Sequence, residues 1–177
     1  MGVAVVAVNY NNSAYSAAMI DSLACQAERI AEIIVVDNDS ESIEFELLKE
    51  YVGSLSESIK SKVKLVRLDE NVGYFRGLNA GLERIESDVN KVVVGNNDLV
   101  YAGDFCEKLE RARFDSDVYV VCPDVVTPDG FHQNPHCLEP MSKFRKWMFD
   151  LYYSSYEIGR VMLFLKRLVA SKKGRFI

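Results

Sequence analysis

Four apolar runs, each closed by a polar cluster, constrain this 177-residue chain more than any other feature. Residues 3–8, 33–36 and 92–94 carry no polar alternation, the pattern of strands buried on both faces of a parallel sheet. Residues 63–68 alternate, with Lys64 and Arg67 set among Val63, Leu65 and Val66, and read as a strand nearer an edge. Helical spacing fills the gaps. Ile20, Leu23, Ala24, Ala27 and Ile30 follow a capping Ser13, and Phe45, Leu48, Tyr51, Val52 and Leu55 form a second stripe. Leu78, Leu82 and Ile85 form a third, and a short helix is expected over 104–112. Residues 54–61 read as loop, and a fifth strand is expected over 118–122. Strand and helix alternating in this way predict an α/β fold with a central, mostly parallel sheet flanked by helices.

The pattern changes after Gly130. Residues 131–140 read as an irregular loop and 141–169 as two helices, so the expected division is an α/β domain over 1–130 and a loop with basic amphipathic helices over 131–177. From Ser142 onward nine basic residues face only Asp150 and Glu157, although the whole chain carries a net charge of −5. Surface helices finishing a domain are the plain account. An anionic membrane face or a partner surface is the sharper one. The negative total argues against nucleic acid as a partner. Cys25, Cys106, Cys122 and Cys137 form no CxxC pair, and read as the reduced thiols of a cytoplasmic protein. No stretch is long and apolar enough to span a membrane.

In a parallel sheet the carboxyl ends of the strands converge on one edge, where open α/β sheets bind ligands. Asn9-Tyr10-Asn11, Asp37-Asn38-Asp39, residues 69–76 and Asn96-Asn97-Asp98 occupy those ends. Asp98 is the candidate ligand for a divalent cation, because hard cations on phosphate substrates take one or two carboxylates and complete their shell with phosphate and water. A strand-end turn is the alternative. Tyr10 can stack on a nucleobase. Asp37 or Asn38 can accept from a base N–H or a ribose hydroxyl. Arg76 can grip a diphosphate, and Gly73 and Gly77 allow close backbone approach. Each residue alone has an ordinary structural explanation, and it is their convergence that favours a site. Neither GxGxxG nor GxxxxGK[ST] occurs.

The stretches VAVVAVNYNN, EIIVVDNDS, LDENVGYFRGLNAGL and VVVGNNDLVY, in this order and spacing, resemble the donor-binding half of a family 2 glycosyltransferase of GT-A fold. Within that family the likeness is to rhamnosyl- and galactosyltransferase-like enzymes of bacterial cell-surface polysaccharide assembly, over residues 3–126. The resemblance implies inverting transfer from a UDP- or dTDP-sugar, with Mg2+ or Mn2+, to a saccharide or lipid-linked acceptor. Position by position it implies Tyr10 on the base, beside Asn9. It puts Asp37 and Asn38 on base and ribose, Asn97 near the ribose and Asp98 on the metal. Gly73 and Arg76 belong to the donor side. Two positions depart from the pattern. Asn96 replaces the first carboxylate of the metal motif, and Leu78 stands where many relatives carry Arg, which leaves the diphosphate to Arg76.

The family's general base is an acidic residue following a strand of the acceptor half. Beyond Gly130 only Glu139, Asp150 and Glu157 are available, none in such a setting, so no catalytic residue is assigned and the expectation is a fragment lacking the base. His132 and His136 read as polar surface rather than further metal ligands. The expected location is cytoplasmic, at the inner face of a membrane if the basic helices bind lipid, with self-association through an exposed sheet edge and the aromatic tail. The competing class is a non-catalytic nucleotide-binding module. A nucleotidylyltransferase would need a Gly-rich, basic segment after the first strand, and NYNNSAYS lacks it.

Overall fold

The computed structural model describes residues 2–134 and 141–173, and the side chains of the last helix as far as Phe164. His136 and Glu139 lie outside the described residues. The chain divides into two compact units, Met1–Phe114 and Asp115–Ile177.

In the first unit the order is β1 (Val3–Asn9), α1 (Ser13–Ala24), β2 (Ile30–Asp37), α2 (Ser42–Ser54), α3 (Glu57–Lys60), β3 (Val63–Arg67), α4 (Tyr74–Leu82), β4 (Val92–Asn96) and α5 (Phe105–Arg111). The strands form one sheet in the order β3-β2-β1-β4, and every pairing is parallel. Side chains alternate across it. Val5, Ala7, Ile33 and Val35 pack in one core with Met19, Ile20 and Leu23 of α1 and Leu48 of α2. Val6, Val8, Ile34 and Val36 pack in a second core with Leu78 of α4. Full burial of such side chains contributes about 1.5–3 kcal/mol each, which is why the uninterrupted apolar runs become the central strands. Helix α4 lies close against the sheet because two of its positions have no side chain. A Cβ on Gly81 would overlap Val6 Cγ1 and come within 2.8 Å of Val36 Cγ2, and one on Gly77 would lie 3.1 Å from Val8 Cγ2. The close approach expected of Gly77 is therefore to the sheet, not to a ligand.

Five further expectations need correction. The three valines of β4 do not form a doubly buried strand. β4 is an edge strand, and Val92 and Val94 are 41% and 50% exposed because α4 covers β1 and β2 but not β4. The apolar stripe of α1 stops at Ala24, with Ala27 in a turn of 3-10 helix and Ile30 already in β2. Ser13 is the first residue of α1 rather than a side-chain cap. Residues 54–61 contain the helical turn α3 rather than a loop throughout. Val118, Tyr119, Val120 and Val121 are exposed and form no strand, since a β-former without a neighbouring strand cannot satisfy its backbone groups by pairing.

The second unit, by itself, holds a tight turn in which Thr127 N–H donates to Phe131 O (2.9 Å) and Val126 bridges His132. Two helices follow, α6 (Lys143–Ser154) and α7 (Tyr156–Lys173). Gly159 lets them approach, for a Cβ there would lie 3.1 Å from the Tyr152 carbonyl. Among the described residues no helix is long and apolar enough to cross a membrane.

Glu32, on the α4 side of β2, clamps the end of the sheet opposite the polar clusters. Its Oε1 accepts from the backbone N–H groups of Glu86 (3.0 Å) and Ser87, and its Oε2 pairs with Lys64 Nζ at 2.9 Å. Burial pushes this carboxyl up, but the hydrogen bonds from Ser87, Lys64 and Glu86 outweigh it and hold it at about 2, against an ordinary 4.5. A depression of that size corresponds to about 3 kcal/mol. The folded value lies below the unfolded one, so this stability is present above pH 4.5 and disappears as the pH falls toward 2. Glu32→Gln is expected to cost roughly 3 kcal/mol at neutral pH and to flatten the acid limb of a urea-denaturation series. An acid limb as steep as that of the unmodified chain would assign the pH dependence elsewhere.

Candidate functional site

One buried amide joins the carboxyl ends of three strands. Asn9 Nδ2 donates to Asp37 Oδ1 (2.9 Å) and Ser40 Oγ (3.3 Å), and Asn9 Oδ1 accepts from Ser16 Oγ (3.0 Å) and Asn97 Nδ2 (3.1 Å). Both donors and both lone pairs of the amide are engaged. Asp37 is equally enclosed, accepting from Ser40 N–H (3.3 Å) with Arg67 Nε 3.6 Å away. Asn9 and Asp37 are each 0% exposed, so their side chains hold the strand ends in place and present nothing to a ligand. Asn97 Nδ2 also reaches Asn12 O (3.3 Å) and Ser16 Oγ (2.9 Å), fixing the end of β4 to β1 and α1.

The turns after β1 and β2 interlock. Asn11 and Asp39 adopt positive φ of 50° and 64°, a conformation that Asn and Asp tolerate better than most residues. Asn11 N–H donates to Ser40 Oγ (2.8 Å), and Glu41 N–H donates to Asn11 Oδ1 (2.7 Å). Ser13, through its N–H (2.9 Å) and its hydroxyl (2.7 Å), donates to Glu44 Oε2 from α2, which holds the Glu44 carboxyl below its usual range. The first turn of α1 thus already has a carboxylate on it.

Above this scaffold lies an open cavity of about 380 Å3 at the carboxyl edge of the sheet, within the 300–1,000 Å3 common for small-molecule sites. Tyr10, Asn38, Asn97 and Asp98, expected from the sequence, line it together. Asn96 and, from the 69–76 cluster, Asn71 and Tyr74 line it as well without having been given a role of their own, and Asn12 and Tyr15 join them unexpected from the sequence. Tyr15, in the first turn of α1 and four residues before the buried Met19, has the spacing of a core residue yet is exposed, so the sequence carried no signal for it. Asn71 was legible as the Asn two residues before Gly73. Its Oδ1 accepts from Gly73 N–H (3.0 Å), and Gly73 has φ 82°, a conformation open to glycine.

Gly73 and Arg76 do not line the cavity, and Arg76 is exposed on α4. Asp98 is the cavity's one carboxylate and is exposed, with no ion-pair partner among the described residues. The Tyr74 hydroxyl is pushed up by burial and by the charge of Asp98. Among the described residues no three His, Cys, Asp or Glu side chains cluster as a preformed metal cage. A hard cation would rest on Asp98, with ligand oxygens and water supplying the remainder of its shell. In the second unit His132 Nδ1 lies 2.8 Å from Asp124 Oδ2, both exposed.

A model of the family described as Glycosyl transferase family 2 matches residues 4–171. No curated protein matches the sequence. Among solved structures, S. aureus TarS 1–349 is similar with a TM-score of 0.51 and 22% identity, over 62% of this chain and 31% of that one. TarS 1–349 in complex with UDP matches with a TM-score of 0.44 and 24% identity, over 55% of this chain and 28% of that one. The mannosyltransferase PcManGT from Pyrobaculum calidifontis, in complex with GDP-Man and Mn2+, matches with a TM-score of 0.49 and 22% identity, over 58% and 29%. The chain spans under a third of the length of these structures, and the likeness to TarS is one of fold.

Proposed function

The chain belongs to glycosyl transferase family 2, and from that membership we propose that its cavity binds a nucleotide-diphosphate sugar, UDP- or dTDP-linked, with Mg2+ or Mn2+. The cavity is the donor part of an inverting transferase that moves the sugar to a saccharide or lipid-linked acceptor in cell-surface polysaccharide assembly. The observation that carries this reading is the unpaired Asp98 in an aromatic and amide-lined cavity at the carboxyl edge of a parallel sheet. In this assignment Tyr10 offers its ring to the base, Asn38 meets the base or ribose, and Asn97 holds the β4 end in register. Arg76, two residues after the cavity-lining Tyr74 on α4, is the basic residue assigned to the diphosphate, which it would have to reach from outside the cavity lining. Asp98 carries the metal, which when bound neutralises charge on the departing diphosphate.

A second reading, a nucleotide-binding module without transfer activity, is favoured by one observation. Asp150 and Glu157, the described carboxylates of α6 and α7, are exposed helix residues. A base that accepts the acceptor proton contributes about 10²–10⁴-fold and must be positioned to do so. The basic tail adds a membrane proposal. Phe144, Trp147, Tyr153 and Phe164 are exposed beside Lys143, Arg145, Lys146 and Arg160, a pattern suited to an anionic bilayer surface at the cytoplasmic face.

In a thermal-shift panel, UDP or dTDP is expected to raise the melting temperature and Mn2+ to raise it further. Asp98→Ala removes the Mn2+-dependent part without unfolding the chain, whereas Tyr10→Ala weakens nucleotide binding by about 1–3 kcal/mol. Metal-dependent affinity surviving in folded Asp98→Ala would exclude Asp98 as the ligand, and equal calorimetric binding by Tyr10→Ala would exclude stacking there. In a transfer assay with a UDP- or dTDP-sugar the 177-residue chain is expected to bind donor without turnover, and sugar transfer to a saccharide acceptor would overturn this. Vesicles containing phosphatidylglycerol sediment the chain and phosphatidylcholine vesicles do not. Equal sedimentation with both would remove the electrostatic argument.

A further inference from the structure

We propose that two copies of the chain pair through β4, antiparallel and edge to edge, so that their four-stranded sheets join into one continuous sheet. The inference is independent of what the cavity binds.

The sheet has an outer strand at each end, and the two are not alike. β3 carries Lys64 and Arg67 among its apolar residues, and charges on an edge are a means by which natural sheets resist pairing. β4, with the sequence VVVGN, carries none. Lys91, the residue before it, is drawn away from the edge. Its ammonium donates to the carbonyls of Leu109, Glu110 (3.4 Å) and Ala112 (3.1 Å) around the end of α5. Among the described residues β4 pairs only with β1. Its outer side therefore presents backbone and valine with no charge to deter a neighbour.

Lys91 O accepts from Ala4 N–H (3.3 Å), which fixes the alternation of this parallel ladder. The backbone groups of Lys91, Val93 and Gly95 turn toward β1, and those of Val92, Val94 and Asn96 turn outward. An outward N–H and C=O on every second residue is half of an antiparallel ladder. A two-fold axis at Val93 sets Val92 of each copy opposite Val94 of the other, and each such pair exchanges both backbone bonds. The same register answers the apolar exposure. Val92 and Val94 are half-exposed on the face that α4 leaves uncovered. Opposite residues of an antiparallel pair point to one face, so each Val92 side chain meets a Val94 side chain. A second copy is the occupant these features select, because the strand is its own complement. Apolar residues meet apolar residues, no like charges are brought together within β4, and the two-fold contact closes after one pairing.

The test is sedimentation velocity of the 177-residue chain as a function of concentration. A contact confined to one strand is small, so dimers are expected to form at about 10–100 μM. Val94→Lys puts a charge on the edge without entering the core and is expected to weaken the dimer at least about tenfold, through loss of both valine pairs. Phe144→Ser with Trp147→Ser, on α6, is expected to leave it unchanged, and melting temperatures report that each variant is folded. Hydrogen exchange needs no variant. The outward amides of Val92 and Val94 are expected to exchange more slowly as concentration rises, whereas the outward amide of Leu65 on β3 is not. A chain that stays monomeric over this range overturns the proposal. So does a dimer that survives in folded Val94→Lys or is lost with the α6 substitutions alone. If Val94→Lys does not fold, the exchange comparison decides: slowing confined to β4 supports the pairing, and equal behaviour of the two edges overturns it.

Discussion

The Asn9 amide is the interaction on which the functional edge depends. Its four hydrogen bonds reach β2 through Asp37, the turn after β2 through Ser40, α1 through Ser16 and β4 through Asn97. The register puts Asn9 beside Asp37 and Val8 beside Asn96, so the strands of this half end at one level. Removing the amide would leave Asp37 buried with one partner fewer, and an uncompensated buried charge is among the costlier defects a fold can carry. A ligand contact at Asn9 would need that same amide to release the strand ends. Polar residues at the end of a buried strand therefore divide into two groups. Those beneath the surface hold the edge together, and those one or two residues further along, Tyr10 and Asp98, face the cavity.

A second constraint comes from the opposite face of the sheet. Helix α4 can approach Val6, Val8 and Val36 because Gly77 and Gly81 have no side chains, and this position carries Tyr74 and the loop with Asn71 to the rim of the cavity. At the far end of the same helix the Glu86 and Ser87 amides are tied to Glu32, which Lys64 neutralises from β3. The helix is thus fixed at both ends by polar contacts and in the middle by steric fit. Glycine in a helix is unfavourable by about 1 kcal/mol relative to alanine, so its use at two positions one turn apart marks packing as the stronger demand.

Most of the fold was legible because β1, β2 and the helices between them obey local rules. The apolar runs, the helical stripe ending in Leu23 and the turn residues all point the same way. Two errors share one cause. Residues 92–94 and 118–121 have the composition of buried strands, but burial is decided by what covers a strand, and composition does not specify its neighbours. The site was legible to a different depth. The converging ends of parallel strands could be located from pattern alone, whereas the direction of each side chain could not. Asn9 and Asp37 face inward, Gly77 serves helix packing, and Tyr15 and Asn71 enter the cavity through the geometry of α1 and the turn at Gly73.

The charge of the cavity bears on how a diphosphate could enter it. Its lining holds several neutral amides, three tyrosines and one carboxylate, and no Lys or Arg. A diphosphate placed beside Asp98 would meet a like charge, at about 3 kcal/mol per pair of unit charges for a separation of about 5 Å and an effective dielectric of about 20. The chain's net charge of −5 adds no long-range attraction. A divalent cation held by Asp98 would convert that repulsion into attraction, and among the cavity-lining residues no Lys or Arg would compete with it. On the proposed reading, nucleotide affinity and metal affinity at this edge would be two measurements of one coupled equilibrium, for which a lone carboxylate would suffice because the ligand would bring the remaining oxygens.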